Sequence, residues 1–442
     1  MVERLVVVGG DAGGMAAATQ ARRLQPYLEI VALEKSAWTS YSACGIPYLV
    51  GGEVAALDDL VARTPQELRD NHKIDVRLQH EVMAIDGKER WVEVRDQQRH
   101  RTYRLEFDQL HLGTGARPTR PNLPGIDGAD VLGVQTLDDA RILLERARTS
   151  RCEKVVVVGG GYIGMEMAEA FVRRGAQVTL VEGGAHLLHT LDPDMAERLV
   201  APLQGLGIEL RLGTRVTAFE PGRVHLGDES IACDLVVLGL GVTPNGELAA
   251  AAGVELGPRG AVLVDGRQRT TLEGVYAAGD CATSHHLVSG RTVHVALGTV
   301  ANKQGRVAGT NLGGGYAHFP GVVGTAITKV CGLDVARTGL SEREVAAAGF
   351  VADTTVVEST TRAGYLPDPP TMVLKMLAER GTGRLLGAQI IGGNGAGKRI
   401  DTVATALHAR LRVDEIDDLD LAYAPPMGTV WDPVQLAARK LS

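Results

Sequence analysis

One local design occurs twice in this chain and restricts its fold more than any other feature. An apolar run, a glycine-rich turn and a helix are followed by a second apolar run that ends at a glutamate. In the first copy Arg4-Leu5-Val6-Val7-Val8 has the unbroken apolarity of a buried strand, and the glycines from Gly9 to Gly14 make a tight turn. A helix is predicted from Met15 to Arg23, and a second strand from Glu29 to Leu33 ends at Glu34. The second copy starts at Val155, turns through GGGYIG, and continues with a helix from Met165 to Arg174 and a strand from Gln177 to Val181 that ends at Glu182. Two such units in one chain predict two nucleotide sites.

The second turn is the more regular. Gly159 permits the bend, Gly161 lets backbone N–H groups reach a pyrophosphate at the positive helix end, and Gly164 allows close helix packing. Glu182, 18 residues past Gly164, stands where an acid accepts hydrogen bonds from a ribose 2′-hydroxyl. Gly183 and Gly184 follow it instead of an arginine, so a 2′-phosphate would meet repulsion and no clamp, which favours NADH over NADPH. In the first turn Gly9 and Gly14 hold the outer positions, but Asp11 replaces the middle glycine. A carboxylate beside a pyrophosphate is unfavourable unless it points away. Glu34, 20 residues after Gly14, still fits the ribose role. A remote segment, Thr271 to Asp280, reads as a buried strand ending at an acid after Gly279, and that acid suits hydrogen bonding to a polyol.

The chain has 442 residues, enough for about three domains. Its 55 glycines, about 12% against a usual value near 7%, cluster after apolar runs, where backbone approaches ligands. A net charge of −7 and 4% aromatic residues exclude the basic stripe and stacking platforms of a nucleic-acid binder. No run of 18 apolar residues predicts a membrane span, and the opening MVERLVVVGG reads as mature structure, so a cytoplasmic protein is expected. Cys44, Cys152, Cys233, Cys281 and Cys331 lie far apart without a C-x-x-C pair, against a disulfide framework or zinc site. His285, His286 and His294 lack a third ligand at metal spacing, and no metal is expected. Gly392-x-x-x-x-Gly397-Lys398 imitates a phosphate loop, but Arg399 replaces the Ser or Thr that would hold magnesium, so it reads as a hairpin-to-helix turn.

Taken together, GGDAGG with Glu34, the HLGTGARP crossing at His111 to Pro118, GGGYIG with Glu182, and the T-x-x-x-x-VYAAGD string resemble the flavin-dependent pyridine nucleotide-disulfide oxidoreductases over essentially the whole chain. The resemblance implies an α/β fold with two Rossmann-like domains, one for FAD and one for NAD, and a C-terminal α+β dimerisation domain in a homodimer. It implies FAD at Gly9, Gly13, Gly14, Glu34, Lys35, Val82, Thr114, Gly115, Gly279 and Asp280, with Asp280 at the ribityl chain and Val82 near the adenine. For NAD(P)H it implies Gly159, Gly161, Tyr162, Ile163, Gly164, Glu166 and Glu182, with Tyr162 shielding the flavin face until nicotinamide arrives. The crossings at 111–118 and 239–245 and the change of texture beyond Pro320 divide the chain into an FAD domain (1–112 and 245–320), an NAD domain (113–244) and a dimerisation domain (321–442). In the last, Met372 to Glu379 and Arg384 to Ile391 read as a hairpin, and Arg399 to Leu411 as a helix.

The branch is decided by Ser40-Tyr41-Ser42-Ala43-Cys44-Gly45-Ile46-Pro47-Tyr48. Dithiol members carry C-x-x-x-x-C, but Leu49 stands five residues after Cys44, so the sulfur must cycle with an external partner, as a mixed disulfide or a sulfenic acid. The string is similar to that of the coenzyme A-disulfide reductases, whereas peroxide- or oxygen-reducing members often carry histidine where this chain has Ala12. If Cys44 opens a helix, as Pro47 suggests, the helix end and oxidised flavin both favour its thiolate. The same resemblance implies Tyr423 and Tyr365 as proton donors from the other subunit, and Gln20, Arg23 and Ser40 as contacts for coenzyme A. Ala43, where asparagine can face substrate, and Trp431-Asp432, in place of a basic end, depart from that pattern. The expected reaction is hydride transfer from NAD(P)H through FAD to Cys44 and on to coenzyme A disulfide. The alternatives are an NADH oxidase or peroxidase, and a redox-sensing flavoprotein that binds NADH.

Overall fold

The first valine run is the centre of a sheet because both its neighbours are equally apolar. In a computed structural model that describes residues 3–148 and 152–442, Arg4–Val8 pairs in parallel with Glu29–Glu34 on one side and Gln109–Leu112 on the other. Asp75–Leu78 and Val275–Ala277 complete five parallel strands. The second unit repeats this arrangement: Lys154–Val158 lies between Gln177–Val181 and Leu235–Leu238, flanked by Glu209–Arg211 and Val131–Leu132. Residues 1, 2 and 149–151, within the expected FAD and NAD domains, lie outside the described residues.

Parallel pairing carries the carboxyl ends of all these strands to one edge, which is where open α/β sheets bind ligands. Gly9, Glu34, Gly113 and Ala278 therefore emerge side by side from the first sheet, and Gly159, Glu182 and Gly239 from the second. The helices begin earlier than the apolar pattern alone indicated, at Ala12–Leu24 and Tyr162–Arg173, because the turn glycines themselves enter the first helical turn. The two glycine-proline crossings pair with each other: Ala116–Pro118 runs antiparallel to Val242–Pro244. Thr114 Oγ1 donates to the Asn245 carbonyl at 2.7 Å, and Asn245 Nδ2 donates back to the Thr114 carbonyl at 2.8 Å.

The C-terminal sheet is antiparallel, in the order Ala326–Val330, Leu333–Gly339, Leu385–Gly392, Thr371–Glu379, Ala352–Thr360. It contains the expected hairpin, with a bulge at Leu377/Ala378. Gly397–Arg399 forms a short turn leading into the helix Ile400–Ala409. One core joins the units. Ile46, Leu49 and Val50 pack with Leu143, Met167 and Phe171 of the second unit, and the same cluster reaches Val335 and Ile391 of the C-terminal sheet. The short helix Ile46–Gly51 is thereby wedged between the two nucleotide-type units, and it carries the Cys44 loop at its head.

Candidate active site

Backbone shape builds the first turn. Gly9 has φ +105°, and a Cβ there would collide with the Gly113 carbonyl oxygen, while one on Gly14 would strike the Gly9 carbonyl oxygen. A Cβ on Gly13 would lie 2.8 Å from the Ala278 carbonyl, so the turn and the Ala278–Gly279 bend form a close-walled cradle. Asp11 is the N-cap of the following helix but makes no cap bond with its side chain, so it does not occupy the N–H groups of Gly13 and Gly14 that an anion would need. Its Oδ1 accepts instead from the Tyr41 N–H at 3.1 Å. The carboxylate that stands in the place of a glycine thus turns toward the Cys44 loop and ties it to the cradle.

The Asp280 carboxylate has no hydrogen-bond donor among the described residues, and burial pushes its pKa up to about 6. Its backbone carbonyl is engaged by His294 Nε2 at 2.8 Å. A half-buried acceptor lacking a donor fits the hydroxyls of a polyol chain. Asp11 is also raised to about 6, first by burial, with the Tyr41 N–H opposing and Glu34 and Asp280 adding. Glu34 accepts from the Gly10 N–H at 2.8 Å and the Ser36 N–H at 2.7 Å. Lys35 beside it is exposed, Val82 packs on the apolar face of the first sheet, and Gly115 turns at φ +65° with open space around it.

Cys44 lies in a 3₁₀ turn, Ala43–Gly45, with its side chain exposed. The loop is stitched down by Ser40 N–H to Gly10 carbonyl at 3.0 Å and Ser42 N–H to Leu60 carbonyl at 2.8 Å. Cys44 opens a helical run, because its turn passes directly into the helix Ile46–Gly51. Without flavin the surrounding protein nevertheless pushes the Cys44 thiol up, first by desolvation and then through Glu166 and Asp280. Glu166 is itself raised, chiefly by burial, with the Thr328 hydroxyl opposing and Glu169 adding. Cys281 is fully buried against the Leu112 and Ala278 carbonyls, as a packing residue.

In the second turn Gly159 has φ +107° beside the Gly239 carbonyl, Gly161 caps the helix without a side-chain bond, and Gly164 packs against Gly159. Ile163 packs on the adjoining core. Glu182 accepts from the Gly160 N–H at 2.7 Å, the Gly184 N–H at 2.6 Å and His189 Nε2 at 3.0 Å. Burial alone would raise its pKa, but these bonds outweigh it and hold the carboxylate ionised. The flanking glycines do not exclude a cation: the stem of exposed Arg215 lies against Gly183. Only the strand pairing that brings residue 215 back to the turn shows this, and no local motif signals it.

The Tyr365 and Tyr423 segments meet. The Tyr365 phenol is pushed up by the neighbouring Tyr423 phenol, and the Ala363 N–H donates to the Pro425 carbonyl at 2.9 Å. Both tyrosines are exposed, 74% and 45%, on the C-terminal unit. Gln20 donates to Thr310 Oγ1 at 3.1 Å, Arg23 is exposed, and Ser40 adopts φ +49° beside the cradle. Neighbouring Arg22 is spent on four backbone carbonyls, from Gln25 and Pro26 to His72 and Lys73.

Residues 3–305 match the pyridine nucleotide-disulphide oxidoreductase family, and residues 325–433 match its dimerisation domain. The chain belongs to the pyridine nucleotide-disulphide oxidoreductases. It is 38% identical to an NAD(P)H sulfur oxidoreductase (CoA-dependent) of Pyrococcus abyssi, over 99% of this chain and 98% of the relative. The structure of reduced Bacillus anthracis CoADR-RHD superimposes with a TM-score of 0.97 at 32% identity, covering all of this chain and 80% of that one. That of an NAD-dependent persulfide reductase from A. fulgidus gives 0.94 at 36% identity, covering 99% and 82%. This oxidoreductase has, among its described residues, no helix long and apolar enough to cross a membrane.

Two buried groups of the oxidoreductase escaped the sequence reading. Gln304, wholly buried, accepts from the Gly279 N–H at 2.9 Å and donates to the Thr283 carbonyl, so it positions the bend before Asp280. Its helix, Gly298–Leu312, packs on the first helix through Gly305 and Gly309, opposite Gly13 and Ala17. The G-x-x-x-G spacing was the available signal. His111, fully buried under the first turn, is pushed down to about 4 by desolvation.

Proposed function

We propose that the oxidoreductase reduces the sulfur–sulfur bond of a coenzyme A-linked disulfide or persulfide at the expense of NADH, through Cys44. The observation that supports this reading most directly is an exposed, unpaired cysteine whose loop is bonded to the first glycine turn, with buried Leu49 where a dithiol enzyme needs its second sulfur. FAD, when bound, accepts the electron pair of NADH and delivers it to sulfur.

In this reading residues 1–112 and 245–320 hold FAD, residues 113–244 hold the pyridine nucleotide and residues 321–442 form the homodimer contact. The first-turn N–H groups bind the flavin pyrophosphate, Glu34 with Lys35 and Val82 receives the adenosine end, Thr114 and Gly115 shape the crossing, and Asp280 accepts hydrogen bonds from the ribityl hydroxyls. Gly159, Gly161 and Gly164 seat the NADH pyrophosphate, Glu182 its ribose, and Ile163 and Glu166 flank the nicotinamide end. Tyr162 covers the flavin face between turnovers.

Cys44 Sγ, as thiolate, attacks one sulfur of the disulfide. A Cys44–substrate disulfide forms, the substrate S–S bond breaks, and Tyr423 or Tyr365 of the partner subunit gives a proton to the departing thiolate. The electron pair from NADH then resolves the mixed disulfide, so one NADH and one proton yield two thiols. Gln20, Arg23 and Ser40 border the route for the coenzyme A nucleotide and pantetheine. The intracellular thiol pool makes the cytoplasm the fitting compartment.

The test is steady-state NADH consumption against a panel containing coenzyme A disulfide, a coenzyme A persulfide and glutathione disulfide. Coenzyme A substrates are expected to be preferred, and Cys44→Ser to lose their turnover. Equal rates for variant and wild type would reject the proposal.

A further inference from the structure

The Tyr162 hydroxyl accepts a hydrogen bond from Thr190 Oγ1 at 3.2 Å. Thr190 belongs to a segment whose residues 189, 190, 192 and 194 are all bonded to the C-terminal unit. Its carbonyl accepts from Arg337 Nη1 at 2.7 Å, and buried Arg337 is held in turn by Glu344 at 2.7 Å. The His189 carbonyl accepts from Arg343 at 3.2 Å. Asp192 is fixed from three directions: Gln389 donates to it at 2.6 Å, the Glu342 N–H at 2.9 Å, and Lys375 pairs with it at 3.2 Å. Lys375 also pairs with Asp194 at 2.7 Å. Leu188, where the segment leaves the second glycine turn, has φ +43°, a strained value for a branched side chain that persists only when its surroundings impose it. None of these contacts is needed to build either parallel sheet. They hold one strap, and the strap holds a phenol.

We propose that residues 188–194 are a latch through which the C-terminal sheet keeps Tyr162 in its closed position, with Thr190 as the positioning residue and Arg337 as its anchor. The inference rests on the reading of Tyr162 as the cover of the flavin face. Nicotinamide must displace the phenol, so each entry breaks the Thr190 bond. The adjacent His189 holds Glu182 from the same strap, which couples binding of the ribose to movement of the cover.

A neutral hydrogen bond contributes a factor of about 2 to 10 to such an equilibrium. Thr190 is exposed, so Thr190→Val keeps its shape and removes the donor without disturbing a core. In the holoenzyme without NADH, iodide quenching of flavin fluorescence is expected to rise by about that factor, and the NADH KM to fall by about as much, with kcat for disulfide reduction unchanged. Tyr162→Phe is expected to match it in quenching, the double variant to quench no further, and Thr190→Ser to restore wild-type quenching. If Thr190→Val leaves quenching and KM at wild-type values while Tyr162→Ala raises quenching, the latch is wrong and the cover stands. If Tyr162→Ala raises nothing, the cover reading fails and takes the latch with it.

Discussion

In the proposed reading Glu182 discriminates between the pyridine nucleotides at the second turn, and the size of its effect follows from its surroundings. Three hydrogen bonds, from Gly160, Gly184 and His189, hold the carboxylate ionised at the end of the central strand pair. A 2′-phosphate brings a charge of about −1.5 to −2 to that corner. At a separation of about 5 Å each unit charge pair costs roughly 0.8 kcal/mol in water and roughly 3 kcal/mol at an effective dielectric constant near 20. For about 1.5 to 2 such pairs, discrimination of about 1–6 kcal/mol, a factor of about 5 to 2 × 10⁴ in kcat/KM, is therefore expected in favour of NADH. Glu182→Gln keeps an oxygen for one of the N–H groups while removing the charge, and Arg215, whose stem lies on Gly183, then faces the phosphate unopposed. The NADH to NADPH ratio of kcat/KM should collapse by most of that factor, and adding Arg215→Ala should restore part of the preference by weakening NADPH alone. Initial rates with both nucleotides, at fixed disulfide and matched ionic strength, measure this. An unchanged ratio in Glu182→Gln, in a protein with normal flavin content and Tm, would refute the electrostatic argument.

Further outcomes are expected. In the apoprotein, the pH profile of Cys44 alkylation should lie above that of an ordinary thiol and shift downward when FAD is restored; a profile already low in the apoprotein would contradict the upward pull of burial, Glu166 and Asp280. His111, at about 4 folded against about 6.5 unfolded, takes up its proton in the unfolded state first, so its contribution is complete above pH 6.5 and declines as pH falls toward 4. At pH 5 the loss is about 2 kcal/mol, and urea unfolding at pH 7.5 and 5 should show wild type losing that much more than His111→Gln. Comparison with the variant is needed because Asp11 and Asp280, raised to about 6, act in the opposite direction as pH falls. Gly9→Ala, meeting the Gly113 carbonyl at a left-handed φ, should lower Tm and flavin content together; normal flavin loading would show that the cradle tolerates a methyl group. An oxygen electrode should record little uptake during disulfide turnover, with more in Tyr162→Ala as the flavin face opens.

Local patterns made much of this legible. The two valine runs, the outer glycines of each turn and the glutamates that end the second strands announced both parallel sheets, because buried strands and left-handed turns leave unmistakable residue choices. The hairpin around Gly381 was readable for the same reason. Helix starts were placed late, since glycines inside the first turn look like loop in sequence. The upward pull on the Cys44 thiol was not legible, because it comes from burial and then from Glu166 and Asp280, more than a hundred residues away. Asp11 looked like a defect in a glycine motif, yet its carboxylate holds Tyr41.

The amino-acid order alone determined the paired glycine turns, the absence of a second sulfur beside Cys44 and the family, since each depends on residues adjacent in the chain and on backbone conformations few side chains permit. Tertiary structure decided what acts on those elements: Arg215 beside Gly183, the Tyr365–Tyr423 pair, the buried neutral His111, and the clamp from Arg337 and Lys375 onto the 188–194 strap. These are contacts between distant segments, and burial, charge and hydrogen bonding depend on distances that only the packed chain defines.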